Sequence, residues 1–427
     1  MAVPPHTIRG PLDTDGTVSY RSFLVDNWRF VGFGLLATAL SGFGQTFYIA
    51  LFGADLRETF HLTHGEYGLL YSAATLASGV SIVWMGRLVD FVDLRPFAGL
   101  SVIGLASGCV LMAAAESAAL VGVAMFVLRL TGQGLLTHTA ATTMGRYFEA
   151  GRGKAVAIAA KGLPLAEATM PPLGVALIAA LGWRGTWWLS AAVLGGLFLP
   201  LLLWLLKGHG ERHRRHIARL ASQEAAGHGT ASPDWTQGEA LQDLRFYLLL
   251  PAVLAGPLIV TGMFFHQAHL AESKGWTLDW LAHSFLGFAA AHVASLLYFG
   301  PAVDRLGVLP VLRVFLLPMA LGLLIVAFLD DPWAAWGYMA LMGLSIGGTG
   351  TLLGALWPAL YGTAHLGAIR SVVHAAMVFV TAISPVAVGT LIDVGISMES
   401  VAVGLAAYIL AATALAAAAL RLPTTRH

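Results

Sequence analysis

Charge is what this sequence has least of. Only 11% of its 427 residues are Asp, Glu, Lys or Arg, against roughly 25% in soluble domains, so water is not its solvent. A formal net charge of +1 gives no bulk electrostatic footprint for nucleic acid or strongly acidic partners. The single cysteine, Cys109, sits in an apolar run; it forms no intrachain disulfide and reads as a small buried hydrophobe. No nucleophile–base pairing, phosphate loop or metal constellation stands out, so no enzymatic reaction, cofactor or metal is expected. His209, His213 and His216 lie in a basic stretch where no carboxylate or cysteine completes a convincing ligand set. Residues 1–28 hold Pro4, Pro5 and Pro11 and lack the apolar core of a signal peptide, so they read as a cytoplasmic tail.

What is present is apolar length: 57% of the residues are hydrophobic. A helix needs about 20 mostly apolar residues to cross a bilayer, whose interior offers the backbone no hydrogen-bond partner. Such runs occur at 29–53, 65–85, 96–115, 118–140, 153–181 and 184–206, then at 245–271, 280–302, 308–329, 332–356, 365–392 and 398–421. They predict an all-α membrane protein of twelve transmembrane helices in two six-helix pseudo-symmetric halves, 29–206 and 245–421. A polar linker at 207–244 joins the halves, and a short tail at 422–427 follows them. Most of the 24 Lys and Arg fall in the tails, the linker and alternate loops, whereas the opposite loops hold only Arg57, Arg184 and Lys274. By the positive-inside rule both termini are cytoplasmic, and a plasma (inner) membrane is the expected location.

An internal repeat runs through the chain. At one constant offset Pro172 falls on Pro385, Gly134 on Gly347, Gly182 on Gly395 and Lys161 on His374. One position further, Gly86-Arg87-Leu88-Val89-Asp90 aligns with Gly300-Pro301-Ala302-Val303-Asp304. With its continuation Phe91-Val92-Asp93-Leu94-Arg95, the first copy resembles the cytoplasmic signature of the major facilitator superfamily. Val92 and Asp93 depart from it, standing where a basic residue and Gly are commoner. The resemblance implies a secondary transporter working by alternating access. It also implies a cytoplasmic gate at Gly86, Asp90 and Arg95, repeated at Gly300, Asp304 and Arg305.

A narrower likeness lies in Arg129-x-x-Gly132-Gln133-Gly134, Arg146-Tyr147-Phe148, Arg152-Gly153-Lys154-Ala155 and Gly182-Trp183-Arg184. This set resembles the monocarboxylate and oxalate–formate branch. Oxalate–formate exchangers place permanent cations on helices 8 and 11, where this chain offers His292, and Arg370 with His374; the departure leaves the substrate open. Pro171-Pro172-x-Gly174 and Ser384-Pro385 resemble in position the Gly-Pro motif of antiporters, but the flanking glycines are mostly absent and helix bending is the simpler reading.

Ionisable groups within spans are the functional candidates, because each costs at least about 2.5–3.5 kcal/mol on insertion scales. Arg129 shares a helix face with Gln133. Lys161 and Glu167 diverge by roughly 120 degrees around their helix, with Pro164 between them, so Arg129 is the expected partner of Glu167. Glu167 is the only carboxylate in the central part of any span, which makes it the candidate proton carrier or counter-charge. Of the histidines in or near spans, His138, His266, His269, His292 and His374, the last gains weight from Arg370 one turn earlier. Two intramembrane cations against one carboxylate favour a small organic anion, monocarboxylate-like, bound by Arg129, Gln133, Lys161, His292, Arg370 and His374. The expected partners are that anion, the lipid bilayer and a coupling proton, for a monomer acting by symport or exchange. An exporter of amphipathic drugs or metabolites, and a non-transporting receptor or scaffold, remain the alternatives.

Overall fold

The structure is a computed structural model. It describes residues 20–86, 88–148, 151–214, 235–362, 365–419 and 421–422, with the side chains of Tyr20, Asp90, Phe91 and Arg152 outside the description. Among the described residues all regular structure is helical. Among the described residues, eleven segments are long and apolar enough to cross a membrane. Their outward surfaces carry Leu69, Val80, Leu100, Leu297 and Phe328, all exposed, whereas Arg129, Glu167 and His292 are buried. That inversion suits a hydrocarbon solvent, which accepts apolar side chains and rejects charge.

Helix ends follow local chemistry. Thr63 and Glu66 form a reciprocal capping box at the start of His64–Met85. The side chains of Asp93, Ser117 and Thr277 cap Leu94–Ala113, Ala118–Leu128 and Leu278–Leu306. Each satisfies backbone N–H groups that the first turn leaves without partners.

One apolar stretch, Gly153–Leu205, runs for 53 residues. Within it Gly182 leaves helical geometry at φ 69 and ψ 170, a conformation that a side chain would oppose. Next to it the Arg184 guanidinium stacks over the Trp183 ring at 4.1 Å and donates to the Ala115 carbonyl at 2.8 Å. The Gly-Trp-Arg triplet is thus a structural corner.

The first apolar run, expected as an unbroken helix over 29–53, is interrupted. Its helix already starts in the expected tail, as Tyr20–Leu40; a tight 3-10 turn at Ser41–Gly44 follows, then Gln45 in an extended conformation, and a new helix opens at Thr46. The cause is crowding from two sides. A side chain on Gly44 would collide with the Leu128 carbonyl and Gly132, and one on Gly42 would collide with Met170 and Ala166. Glycine-lined contacts of this kind let backbones approach closely in a membrane.

Two faces can be defined by contact. Phe23, Phe30, Tyr147, Phe148 and His209 meet on the linker face. After the undescribed stretch, Trp235 donates its backbone N–H to the Tyr361 carbonyl on that face. The opposite ends of the spans form the far face. There Lys274 Nζ lies 2.6 Å from Asp330 and 3.2 Å from Glu399.

Candidate functional site

The polar centre is built on the helix Ala118–Leu128 and the wider π-helical stretch Arg129–Leu136 that continues it. Such local widening is frequent at functional sites. Arg129 opens the stretch and is 3% exposed. Its Nη1 donates to the Tyr71 hydroxyl, and its guanidinium stands 4.7 Å from the Tyr71 ring centroid. The Tyr71 hydroxyl in turn lies 2.6 Å from Thr46 Oγ1, just beyond the break at Gln45. Arg129 makes no ion pair among the described residues, and its Nε–H has no hydrogen-bond partner there. A permanently charged group is therefore held in the interior by one neutral hydroxyl and one aromatic face.

Glu167 does not neutralise it. The carboxylate reaches across to the segment after the linker, where Oε2 lies 2.9 Å from His292 Nδ1. Glu167 is 5% and His292 8% exposed. The expected Arg129–Glu167 pair is corrected to Glu167–His292, because Leu278–Leu306 packs on the helix carrying Glu167. The Phe288 ring meets the His292 ring edge-on at 5.9 Å.

The other expected substrate residues are dispersed. Gln133 is half-buried beside the Gly44 crossing. Lys161, Arg370 and His374 are exposed and make no ion pair among the described residues. Lys161 sits at the junction of Arg152–Ala160 and Gly162–Val193. Of the expected gate, Gly86 is buried and in reach of the His138 ring. The Asp90 side chain lies outside the described residues. Arg95 is exposed, and its backbone N–H donates to Asp93 at 2.8 Å. Asp304 and Arg305 are exposed at the end of Leu278–Leu306, with no described ion pair, and the space around Gly300 is open.

Sequence reasoning missed the seam that joins the two segments on the far face. There Asp393 accepts the backbone N–H groups of His64 at 3.0 Å and Gly65 at 2.7 Å. Gln267 Nε2 donates to the Phe47 carbonyl at 2.9 Å, and the Phe265 ring stacks on Tyr67 at 4.6 Å. Asp393 falls one residue past the expected span 365–392, where a terminal carboxylate reads as loop. Its only sequence signal was the capping chemistry of the helix it meets.

Residues 34–291 match the family described as the Major Facilitator Superfamily. No curated protein matches the chain. Two solved structures of a bacterial homologue of the human lysosomal transporter Spinster are similar. The inward-facing, unoccupied form has a TM-score of 0.65 at 14% identity, covering 95% of this chain and 98% of that one. The inward-facing, occupied form has a TM-score of 0.60 at 15% identity, with the same coverage. At these identities the likeness is one of fold.

Proposed function

Because the chain belongs to the Major Facilitator Superfamily, and is thus a multi-pass membrane transporter, we propose that it carries a small organic anion, monocarboxylate-like, by alternating access. The observation that carries this reading is the buried Arg129, whose Nε–H is unpartnered and whose charge no described carboxylate balances. A buried cation without a counter-charge is costly, and an anionic substrate at Tyr71 and Thr46 would remove that cost when bound.

In this reading the chain crosses the membrane twelve times, in two sets of six. A helix of 53 residues would measure about 80 Å against a hydrocarbon core of about 30 Å, which supports counting the stretch folded at Gly182 as two crossings. The linker face is cytoplasmic, in keeping with its Lys and Arg. The bonded far-face seam, and the likeness to an inward-facing relative, support a conformation open to the linker side. Glu167 and His292 form the proton-linked element. Rocking the segments apart must break their bond, so proton exchange there is tied to the conformational step.

The test is uptake of a panel of monocarboxylates into proteoliposomes, after thermal-shift screening of the same panel on purified protein. Arg129→Gln should fold normally, lose ligand-induced stabilisation and lose uptake by about 100-fold, the scale of removing one partner of a buried charged contact. Arg129→Lys should not restore it, since a point charge does not reproduce the planar guanidinium fork. Normal uptake by Arg129→Gln overturns the anion reading.

A further inference from the structure

The far-face seam encloses a cleft that the transport site does not use. Its walls include Arg57, His64 and Tyr67 from before the linker, and Phe265, His266 and His269 from after it; none of its lining residues is acidic. The cleft is partly open to solvent, and its enclosed part measures about 10 Å³. That is room for a single small particle of about the size of one water, far below the roughly 300–1,000 Å³ of pockets for drug-sized solutes.

The polar groups in these walls comprise one donor in want of an acceptor, the Tyr67 hydroxyl, and imidazoles that gain a donor on protonation. Tyr67 is 2% exposed, and its hydroxyl has no hydrogen-bond partner among the described residues. His266 is 3% exposed, and its Nε2 lies 2.9 Å from the Pro385 carbonyl. A carbonyl can only accept, so Nε2 carries the proton and a second proton would reside on Nδ1. The His64 ring lies 4.5 Å from that of His269 and 5.7 Å from that of His266, with Arg57 in the same wall and its charge felt by both His266 and His269.

The nearby carboxylates are engaged or turned to solvent. Asp393 is taken by the N–H groups of His64 and Gly65, and Glu399 is held by Lys274. Glu272 is 80% exposed and 3.9 Å from His269. Asp55 and Glu58 share the Gly53–Phe60 helix with Arg57 but do not line the cleft.

We propose that this cleft is a seat for one small monovalent anion, of chloride or formate size, which bridges the two segments and stabilises the closed far face. The seat is separate from Arg129 and does not require the substrate to be an anion. Burial, together with the charges of His269 and Arg57, pushes His266 down to about 4, against the opposing bond to Pro385 and the charge of Asp393. Burial is also the main cause that lowers His269; Arg57 acts with it, while Glu272 and Glu399 oppose it. A bound anion relieves that positive potential and raises both imidazole pKa values. By linkage its affinity rises as pH falls from neutral toward 5.

The test uses the full chain in detergent with gluconate, too bulky for the cleft, as the background anion. Chloride, and separately formate, are titrated while the thermal unfolding midpoint is followed at pH 7.5 and pH 5.5. The expected result is a saturable rise, tighter at the lower pH, for at least one of the two ions. Tyr67→Phe, which keeps the ring, and Arg57→Gln should each weaken half-saturation by about tenfold, the scale of one lost charge-assisted hydrogen bond. Arg129→Gln should keep the effect; its disappearance there would assign the ion to the transport site instead. Equal behaviour in gluconate, or wild-type half-saturation in Tyr67→Phe, overturns the seat.

Discussion

The far face and the linker face are fastened in different ways. On the far face, bonds run between the segments: Asp393 holds the start of His64–Met85, and Gln267 holds the Phe47 carbonyl. On the linker face, the described bonds tie each segment to its own part of the linker. Tyr147 reaches His213 at 2.9 Å, Asp243 and Arg245 pair at 2.7 Å, and the Tyr361 hydroxyl donates to Asp243 at 3.1 Å. A bond across the seam must break for the segments to rock; a bond within a segment travels with it. Conformational preference should therefore be written into the far face, and segment integrity into both.

Asp393→Asn should produce the largest effect on this contrast. It weakens two charge-assisted bonds that solvent at the exposed Asp393 holds to about 1 kcal/mol each, together enough to shift the balance of conformations by roughly tenfold. A cysteine introduced at Ala268, with Cys109 replaced, should react faster with a membrane-impermeant thiol reagent. Unchanged labelling would break the contrast at its strongest point.

Lys274→Met comes next, and it should lower the unfolding midpoint without altering that labelling. Burial works against the Lys274 charge, but hydrogen bonds to Asp330 and Glu399 outweigh it and hold the ammonium above its usual pKa. The stabilisation is fully present below the ordinary lysine value and is lost as pH rises through the raised one. Asp330 is 82% exposed, so solvent screening limits the effect to about 1 kcal/mol. The wild-type midpoint should fall in strong alkali more steeply than that of the variant.

Tyr361→Phe should be mildest, at about 0.5–1.5 kcal/mol for one hydrogen bond. Burial raises the Asp243 pKa, but bonds from Arg245 and Tyr361 more than offset this and hold it below the usual carboxylate range. That contribution is present above the ordinary Asp value and disappears as pH falls through the depressed one. Acid unfolding of the variant should begin at higher pH, with transport kinetics unchanged. Altered far-face labelling would show that the two faces are not separately fastened.

The all-helical membrane class was legible because apolar runs of bilayer length need no tertiary information. Burial of Arg129 and Glu167 was legible for the same reason: a charge placed mid-run has nowhere to go but inward. Their partners were not. His292 meets Glu167 from 125 residues away, and that contact is decided by which faces two distant helices turn to each other. The break at Gln45 was equally hidden. Gly42 and Gly44 are visible in the sequence, but the backbones of the helices that crowd them are not. The Gly182-Trp183-Arg184 triplet was recognised as a motif, and only the φ of Gly182 revealed it as a corner.

The wide stretch Arg129–Leu136 also acts as a phase shifter. An i→i+5 turn accommodates one more residue than an α-turn, and one residue is worth about 100 degrees of rotation. Everything downstream in Thr137–Tyr147 takes its azimuth from that extra residue, including His138 at Gly86 and Tyr147 at His213. Deleting one residue from the stretch would leave the composition nearly untouched, yet turn the whole remaining helix away from its neighbours. No single substitution downstream could restore the alignment, whereas a compensating insertion within the same stretch could. The reading frame of the helix surface is thus stored beside Arg129.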